Sequence, residues 1–111
     1  MWYQRTGKKY NNQSKEYNGH LYHSKKEAEY ARDLDLLIRA GEILEWKPQF
    51  KLSLDVNGYH ICNYYVDFWV LPSGGGEELH EVKGFETDVW RMKWKLTEAL
   101  YSDKYKLVVI K

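Results

Sequence analysis

The feature that most constrains the fold is a long apolar run at residues 59–71 that lies between two turn signals. The run is rich in Tyr, Ile, Val, Phe and Trp without a helical period, which predicts a long, largely buried β-strand. Asn57-Gly58 just before it predicts a tight hairpin with the extended run at residues 50–56. Pro72 and the glycines at 74–76 close the run and predict a loop to the next strand. The chain is therefore expected to form a sheet around this strand.

Two segments have the sequence marks of helices that would flank this sheet. Ser24-Lys25-Lys26-Glu27 matches the S-x-x-E capping box, and Gly41 matches the usual left-handed stop, so a helix is predicted between them. Thr87 or Asp88 can cap a second helix that runs through Tyr101. The apolar stripe predicted for this second helix consists of Val89, Met92, Leu96, Ala99 and Leu100.

Shorter extended segments complete the pattern. A hairpin is predicted around Asn18-Gly19, and a strand is predicted at residues 42–46, which Pro48 should end. Further strands are predicted at residues 78–84 and 105–110. Because a helix precedes the last strand, a parallel crossover is permitted. We predict an α/β fold in which one mixed central sheet is flanked by helices.

Length and composition exclude several classes of protein. The chain has 111 residues, enough for one compact domain with its own core. Its 43% hydrophobic and 30% charged residues are typical of a folded soluble protein, and no run reaches the ~18 apolar residues that span a bilayer. Cys62 is the only cysteine, which excludes a disulfide scaffold and a Cys-rich zinc module. The first residues lack the apolar stretch of a secretory signal, so the cytoplasm is the expected compartment.

The net charge of +1 conceals a basic N-terminal segment. Residues 1–26 carry six basic residues against Glu16 alone, a balance of +5, so the remaining residues carry −4. We expect residues 1–15 to form a flexible basic arm and residues 16–111 to form the domain. Basic residues interleaved with aromatic ones suit contacts with phosphates and bases, although solvated tails show the same pattern. The six basic residues are Arg5, Lys8, Lys9, Lys15, Lys25 and Lys26.

Glu27 occupies a helical position that solubility does not explain. At about 100° per residue it lies in the same direction as Ala31, Leu34 and Ile38, in line with the apolar stripe of its helix. The capping box offers a structural reason, since Glu27 can reach back to the amide of Ser24. A role in a functional site is compatible with that cap.

Asp67 and Glu81 are the strongest candidates for a functional site. Asp67 interrupts the most apolar strand, facing away from Val66 and Phe68, where a lone carboxylate would cost several kcal/mol unless paired or metal-bound. In Glu81-Val82-Lys83 the alternation places Glu81 and Lys83 on one face of a neighbouring strand. Two carboxylates from adjacent strands form the hard oxygen site that Mg²⁺ prefers, and a lysine beside them can serve an attacking water. The pattern predicts phosphodiester hydrolysis.

The arrangement of Glu27, Val66-Asp67 and Glu81-Val82-Lys83 resembles the PD-(D/E)XK nuclease superfamily, whose site residues lie on a restriction-endonuclease-like α-β-β-β-α-β core. The chain is also similar, from about Lys9 to the C-terminus, to a small phage-encoded endonuclease family of that superfamily, which is Holliday-junction-resolvase-like. Four segments carry this closer likeness: Tyr17-Asn18-Gly19, residues 24–30, Tyr65-Val66-Asp67-Phe68 and residues 81–87.

The resemblance implies a role for each of these residues. Asp67 and Glu81 would ligate Mg²⁺, which Mn²⁺ can replace, together with the Val82 carbonyl. Lys83 would serve the attacking water, and Glu27 would be an additional acidic residue oriented towards the metal or the lysine. The substrate would be branched or structured DNA, cut by a homodimer during phage replication or recombination in the bacterial host cytoplasm. The candidate DNA contacts are Arg5, Lys8, Lys9, Lys25, Lys26, Lys93 and Lys95.

Three alternatives stay open. The first is a non-catalytic nucleic-acid-binding accessory protein that keeps a nuclease fold for its surface. The second is a zinc site, although its strand-borne members are more typical of packing; its ligands would be His20, His23, His60 and Cys62. The third alternative concerns the role of three tryptophans. Packing in the core is favoured over exposure on a DNA-facing surface for Trp46, Trp90 and Trp94.

Overall fold

The computed structural model describes residues 14–111 and has an α/β architecture. The predicted helices and strands are present, with ends shifted by a few residues. Of the predicted basic arm at 1–15, residues 1–13 lie outside the described residues. The elements in chain order are β1 (Lys15–Tyr17), β2 (His20–Tyr22), α1 (Lys25–Arg39), β3 (Ile43–Val56), β4 (Tyr59–Pro72), β5 (Glu78–Val82), α2 (Asp88–Tyr101) and β6 (Lys106–Ile110).

The central sheet has four strands in the order β3-β4-β5-β6 and is mixed. The pairs β3–β4 and β4–β5 are antiparallel, whereas β5 and β6 are parallel and are joined through α2. These findings confirm the predicted mixed sheet and parallel crossover. Strands β1 and β2 form a separate hairpin. Its turn residues Asn18 and Gly19 have φ angles of 54° and 85°, as a two-residue type I′ turn requires.

The capping signals of α1 are confirmed with one difference. The Ser24 hydroxyl accepts a hydrogen bond from the Glu27 N–H at 3.1 Å, and Gly41 follows the helix with a left-handed φ of 79°. The return bond of the capping box does not go to Ser24. Glu27 Oε1 instead accepts from the backbone N–H of His23 at 3.2 Å. This cap uses one carboxylate oxygen of Glu27 and leaves the other for a different contact.

Strand β3 passes through Pro48 without ending, so the predicted break is wrong. Because β3 lies at the edge of the sheet, a residue without an N–H is tolerated there. The disturbance falls on Gln49, which has a left-handed φ of 52° and stands between two intact ladder pairs. Opposite Gln49, the alternation of side chains along β4 is interrupted. Val66 packs on the α2 side of the sheet, whereas Phe68, two residues later, packs on the α1 side. Asp67 lies at this change of face, so the simple alternation predicted around it is also wrong.

Apolar clusters cover both faces of the sheet. Beneath α1 the cluster contains Ala28, Ala31, Leu34, Phe68, Val70 and Val82, with Trp46 packed against it. Beneath α2 it contains Leu52, Leu54, Val66, Leu79 and Trp94, with Trp90 packed against it. The prediction that the tryptophans pack in the core is therefore confirmed for Trp46, Trp90 and Trp94.

The apolar stripe predicted for α2 is wrong at Val89, Met92 and Ala99, which are exposed, whereas Leu96 and Leu100 pack against the sheet. Val89 and Met92 are 63% and 67% exposed, whereas Trp94 and Thr97 are buried against the sheet. Indole rings bury more apolar area than Val or Met, so their side of the helix faces inwards. Within residues 14–111 neither helix is long and apolar enough to cross a membrane.

The prediction that residues 59–71 are largely buried holds only for the second half of β4. Tyr59 and Ile61 are exposed, and burial begins at Tyr64. The reason is length, because β3 and β4 have 14 residues each whereas β5 has 5. The β3–β4 hairpin therefore extends beyond the strand that could cover its edge.

Asp35 joins the small hairpin and β3 to α1, and its removal should destabilise the fold. Its carboxylate accepts hydrogen bonds from the Tyr17 hydroxyl at 2.6 Å and from Trp46 Nε1 at 2.8 Å. We expect Asp35→Ala to lower the melting temperature by roughly 5–10 °C, because two donors lose their acceptor. Thermal denaturation measures the change. Asp33→Ala, at an exposed position of the same helix, is the control, and an equal loss there would contradict this role.

Candidate functional site

Two carboxylates replace backbone hydrogen bonds where β4 and β5 stop pairing. The ladder between these strands ends at Phe68 and His80. One residue further, the Asp67 N–H donates to Glu81 Oε1 at 3.3 Å, and the Val82 N–H donates to Asp67 Oδ2 at 2.8 Å. The structure thus brings Asp67 and Glu81 together, with only 8% and 4% of each residue exposed. Val82 contacts this pair through its N–H.

Glu27 joins these two residues to form a group of three buried carboxylates. The first turn of α1 brings Glu27 to Asp67, within β4, and the two carboxyl groups share a hydrogen bond. Such a bond requires a proton on one of the two groups. Glu81 and Lys83 are close enough to Glu27 to influence its pKa. The same side chain therefore serves the helix cap and the site.

Burial and mutual repulsion raise the pKa of all three carboxyl groups. Desolvation and then the charge of Glu27 raise the pKa of Asp67 to about 8. Desolvation and then the charge of Asp67 raise the pKa of Glu81 to about 7. The pKa of Glu27 is also raised, chiefly by desolvation. In the absence of a cation, the group therefore retains protons at neutral pH.

Lys83 follows β5 directly, and its ammonium lies between a carboxylate and an indole ring. Its Nζ is 3.6 Å from Glu81 Oε2 and 4.5 Å from the centre of the Trp90 ring. Its backbone is held as well, since its N–H donates to the Ile110 carbonyl at 2.8 Å and its carbonyl accepts from Lys26 Nζ at 2.9 Å. The predicted proximity of Glu81 and Lys83 is present in the structure.

Tyr64 and Trp90 belong to this site, although no sequence pattern assigns them to it. The Tyr64 hydroxyl donates a hydrogen bond to the Glu81 carboxylate and accepts one from Trp90 Nε1 at 2.8 Å. Burial and the charge of Glu81 raise the pKa of Tyr64 far above its usual range, so its hydroxyl remains a donor. Tyrosine in a strand and tryptophan in a helix are common core residues, and their spacing contains no signal that separates them from packing.

An open cleft of about 390 Å³ leads to Asp67. Gln49 and Tyr65 line it on the side of the sheet, and Trp90 and Lys93 line it on the side of α2. Its volume lies in the range of small-ligand sites. The carboxylate group is therefore reachable from solvent through Asp67.

No set of three or more His, Cys, Asp or Glu side chains within residues 14–111 is already arranged around a metal position. At the three-carboxylate group, several oxygens accept hydrogen bonds from backbone N–H groups or meet one another. The zinc alternative finds no support in this part of the chain. His60 contacts Asp55 at 2.7 Å on the exposed part of the hairpin, and Cys62 packs beside the α2 cluster.

The candidate DNA contacts have different surroundings. Lys26 is bound to the Lys83 carbonyl, and Lys93 lines the cleft. Lys25 and Lys95 are exposed on α1 and α2. The remaining three candidates lie outside the described residues: Arg5, Lys8 and Lys9.

Comparison with curated proteins found no significant match, and comparison with solved structures found none either. A family profile described as "Protein of unknown function (DUF1064)" matches residues 7–111. This match spans every strand and helix described above and all residues of the candidate site. The chain therefore belongs to the DUF1064 family of proteins of unknown function.

Proposed function

We propose that this protein is a divalent-metal-dependent endodeoxyribonuclease that hydrolyses DNA phosphodiester bonds. The observation that carries the proposal is that Asp67 and Glu81, from two strands, meet Glu27 and Lys83. An open cleft reaches this group at Asp67. Three buried carboxylates beside one close ammonium group repel one another unless protons or a cation compensate them. A structural ion pair needs only one carboxylate, so this excess of negative groups supports a cation-binding role.

Mg²⁺ fits this group by the chemistry of its donors. Carboxylate oxygens are the ligands that Mg²⁺ prefers, and a divalent cation would displace the protons that the raised pKa values of Asp67 and Glu81 retain. Asp67, Glu81 and the Val82 carbonyl would hold the ion, and Mn²⁺ would substitute for it. When bound, the ion would neutralise charge on the scissile phosphate as a Lewis acid.

The other groups position the reactants. Lys83, whose ammonium lies 3.6 Å from Glu81, donates a hydrogen bond to the attacking water or hydroxide and stabilises its developing negative charge. Glu27, held beside Asp67 by the first turn of α1 and by the His23 N–H, would be an additional acidic residue oriented towards the ion or Lys83. Water adds to phosphorus and loses a proton, one P–O ester bond breaks, and the leaving alkoxide gains a proton.

The finer fold and the biological setting are parts of the same proposal. The order α1-β3-β4-β5-α2-β6 resembles the restriction-endonuclease-like core of the PD-(D/E)XK superfamily, and Asp67 with Glu81-Val82-Lys83 resembles its sequence pattern. This likeness supports branched or structured DNA as the substrate, phage replication or recombination as the process, and the bacterial host cytoplasm as the compartment. A single domain offers one such site, so cutting both strands of a junction would require a homodimer.

A non-catalytic DNA-binding accessory protein is the second candidate. It is favoured by the protonated state of the group, in which Asp67 and Glu81 already accept backbone hydrogen bonds. Lys93 in the cleft and the basic residues near the N-terminus would suit either function. Cleavage assays separate the two candidates.

Purified protein should cleave at least one of four labelled substrates: a four-way junction, a flap, a single strand and a linear duplex. We expect cleavage in Mg²⁺ or Mn²⁺, none in EDTA, and a loss of about 10³-fold in Glu81→Ala, because that variant removes a metal ligand. Glu98→Ala, at an exposed position of α2, is the matched control and should cleave normally. Cleavage in EDTA or by Glu81→Ala would contradict the proposal. A tight gel shift without cleavage would favour the DNA-binding alternative.

A further inference from the structure

Trp90 contacts two separate parts of the candidate site. The Lys83 ammonium lies over its ring, 4.5 Å from the ring centre, while its Nε1 donates to the Tyr64 hydroxyl at 2.8 Å. Tyr64 is hydrogen-bonded to Glu81, and Glu81 Oε2 is 3.6 Å from Lys83 Nζ. The four side chains therefore form a closed circuit of contacts that links α2 to β4 and β5.

Trp90 is itself held from two directions. Its backbone N–H donates to the Thr87 side chain at the start of α2, at 3.1 Å. Its ring stacks on Trp94, with the ring centres 5.8 Å apart and 21° between the planes. Trp94 is buried and also meets Tyr64 edge-on at 6.4 Å. An indole fixed in this way presents its N–H and its electron-rich face in defined directions.

We propose that Trp90 is a positioning residue that fixes Lys83 and Glu81 relative to each other, and for its kinetic effect this inference rests on the proposed nuclease function. The ring restricts the Lys83 ammonium to one side of the Glu81 carboxylate. The indole N–H fixes the Tyr64 hydroxyl, which in turn orients that carboxylate. Without Trp90, a flexible lysine side chain keeps only a point-charge contact with Glu81 and samples many rotamers.

Substitutions can separate the two contacts of Trp90. Trp90→Phe keeps an aromatic face for Lys83 but removes the N–H donor, and Trp90→Leu removes both. Tyr64→Phe removes the hydroxyl between Trp90 and Glu81. Trp46→Phe is the matched control, because Trp46 also donates its Nε1 at 2.8 Å, to an acceptor on α1.

The kinetic test compares these variants on the DNA that the wild type cleaves. We expect kcat to fall about tenfold in Trp90→Phe and in Tyr64→Phe, and about 100-fold in Trp90→Leu, with KM changed less than about threefold. The double variant of Trp90→Phe with Tyr64→Phe should be no slower than the slower single variant, because both remove the same connection. Additive losses, or an equal loss in Trp46→Phe, would overturn the inference.

NMR tests the same contact without any need for activity. The ε-methylene protons of Lys83, assigned by comparison with Lys83→Arg, should be shifted upfield by the Trp90 ring. The shift should persist in Trp90→Phe and vanish in Trp90→Leu. If the shift follows this pattern while the wild type cleaves no DNA, the nuclease proposal fails but the positioning of Lys83 by Trp90 stands. An unshifted wild type, or a shift that survives in Trp90→Leu, overturns the inference even if DNA is cleaved.

Discussion

Lys83→Ala should abolish DNA cleavage and leave DNA binding nearly intact. The Lys83 ammonium lies 3.6 Å from Glu81. In the proposed mechanism it would donate to the water that attacks the scissile phosphate. Removing it takes away a donor to the developing charge, so we expect a fall of about 10³-fold in kcat. Binding should change less than about threefold, because one phosphate contact among many is lost. Single-turnover cleavage and a gel shift in Ca²⁺ measure the two quantities.

Lys47→Ala is the matched control for this experiment. Like Lys83, Lys47 lies over an indole, 5.1 Å from the centre of the Trp69 ring, and beside a carboxylate, 3.9 Å from Glu45. It belongs to the edge strand β3 and has no contact with the carboxylate group. Cleavage should therefore be unchanged in this variant. Retained cleavage in Lys83→Ala would remove Lys83 from the mechanism, and equal losses in both variants would indicate a general effect of lysine removal.

Mg²⁺ should stabilise the protein most strongly at alkaline pH. In the folded, metal-free chain the pKa of Asp67 is about 8 and that of Glu81 about 7, against 3.8 and 4.5 as ordinary values. At pH values between the ordinary and the raised pKa of each group, the folded state therefore binds more protons than the unfolded state. The free energy of unfolding falls as the pH rises through that range. A cation replaces the lost protons, so the stabilisation it brings should increase as the protons leave.

Thermal melts at about pH 6 and about pH 9, with and without Mg²⁺ or Mn²⁺, measure this linkage. Without metal the melting temperature should fall by roughly 15–20 °C at the higher pH, and metal should recover most of it. Asp67→Asn keeps an acceptor for the Val82 N–H but carries no charge, so its melts should respond weakly to pH and metal. Asp55→Asn, on the exposed hairpin, should behave as the wild type. Identical melts for Asp67→Asn and the wild type would contradict the metal site.

The sequence predicts those parts of the fold that have local signals. Ser24 and Gly41 bound α1 because a cap and a left-handed glycine act within a few residues, and Asn57-Gly58 forms its hairpin for the same reason. The strand break predicted at Pro48 is wrong, because the effect of a proline depends on whether β3 is an edge strand. That position is a property of the whole sheet. The inward face of α2 also depends on the sheet, since packing selects Trp94 over Met92.

The residues of the candidate site also differ in whether the sequence alone indicates them. The carboxylates stand out because charge in an apolar strand or stripe is conspicuous, and the structure does bring Glu27, Asp67 and Glu81 together. Tyr64 and Trp90 are not predicted from the sequence, because their roles arise from a hydrogen bond between a strand and a helix. Such a contact between distant residues leaves no pattern in the sequence.

The bond between the Lys83 N–H and the Ile110 carbonyl has a consequence for chain synthesis. A nascent chain that has reached Asp103 contains every residue of the candidate site but no β6. Because β5 and β6 pair in parallel, this bond also requires α2 to have folded and crossed over the sheet. The growing polypeptide thus carries the side chains of the candidate site before the backbone of Lys83 has its β6 partner.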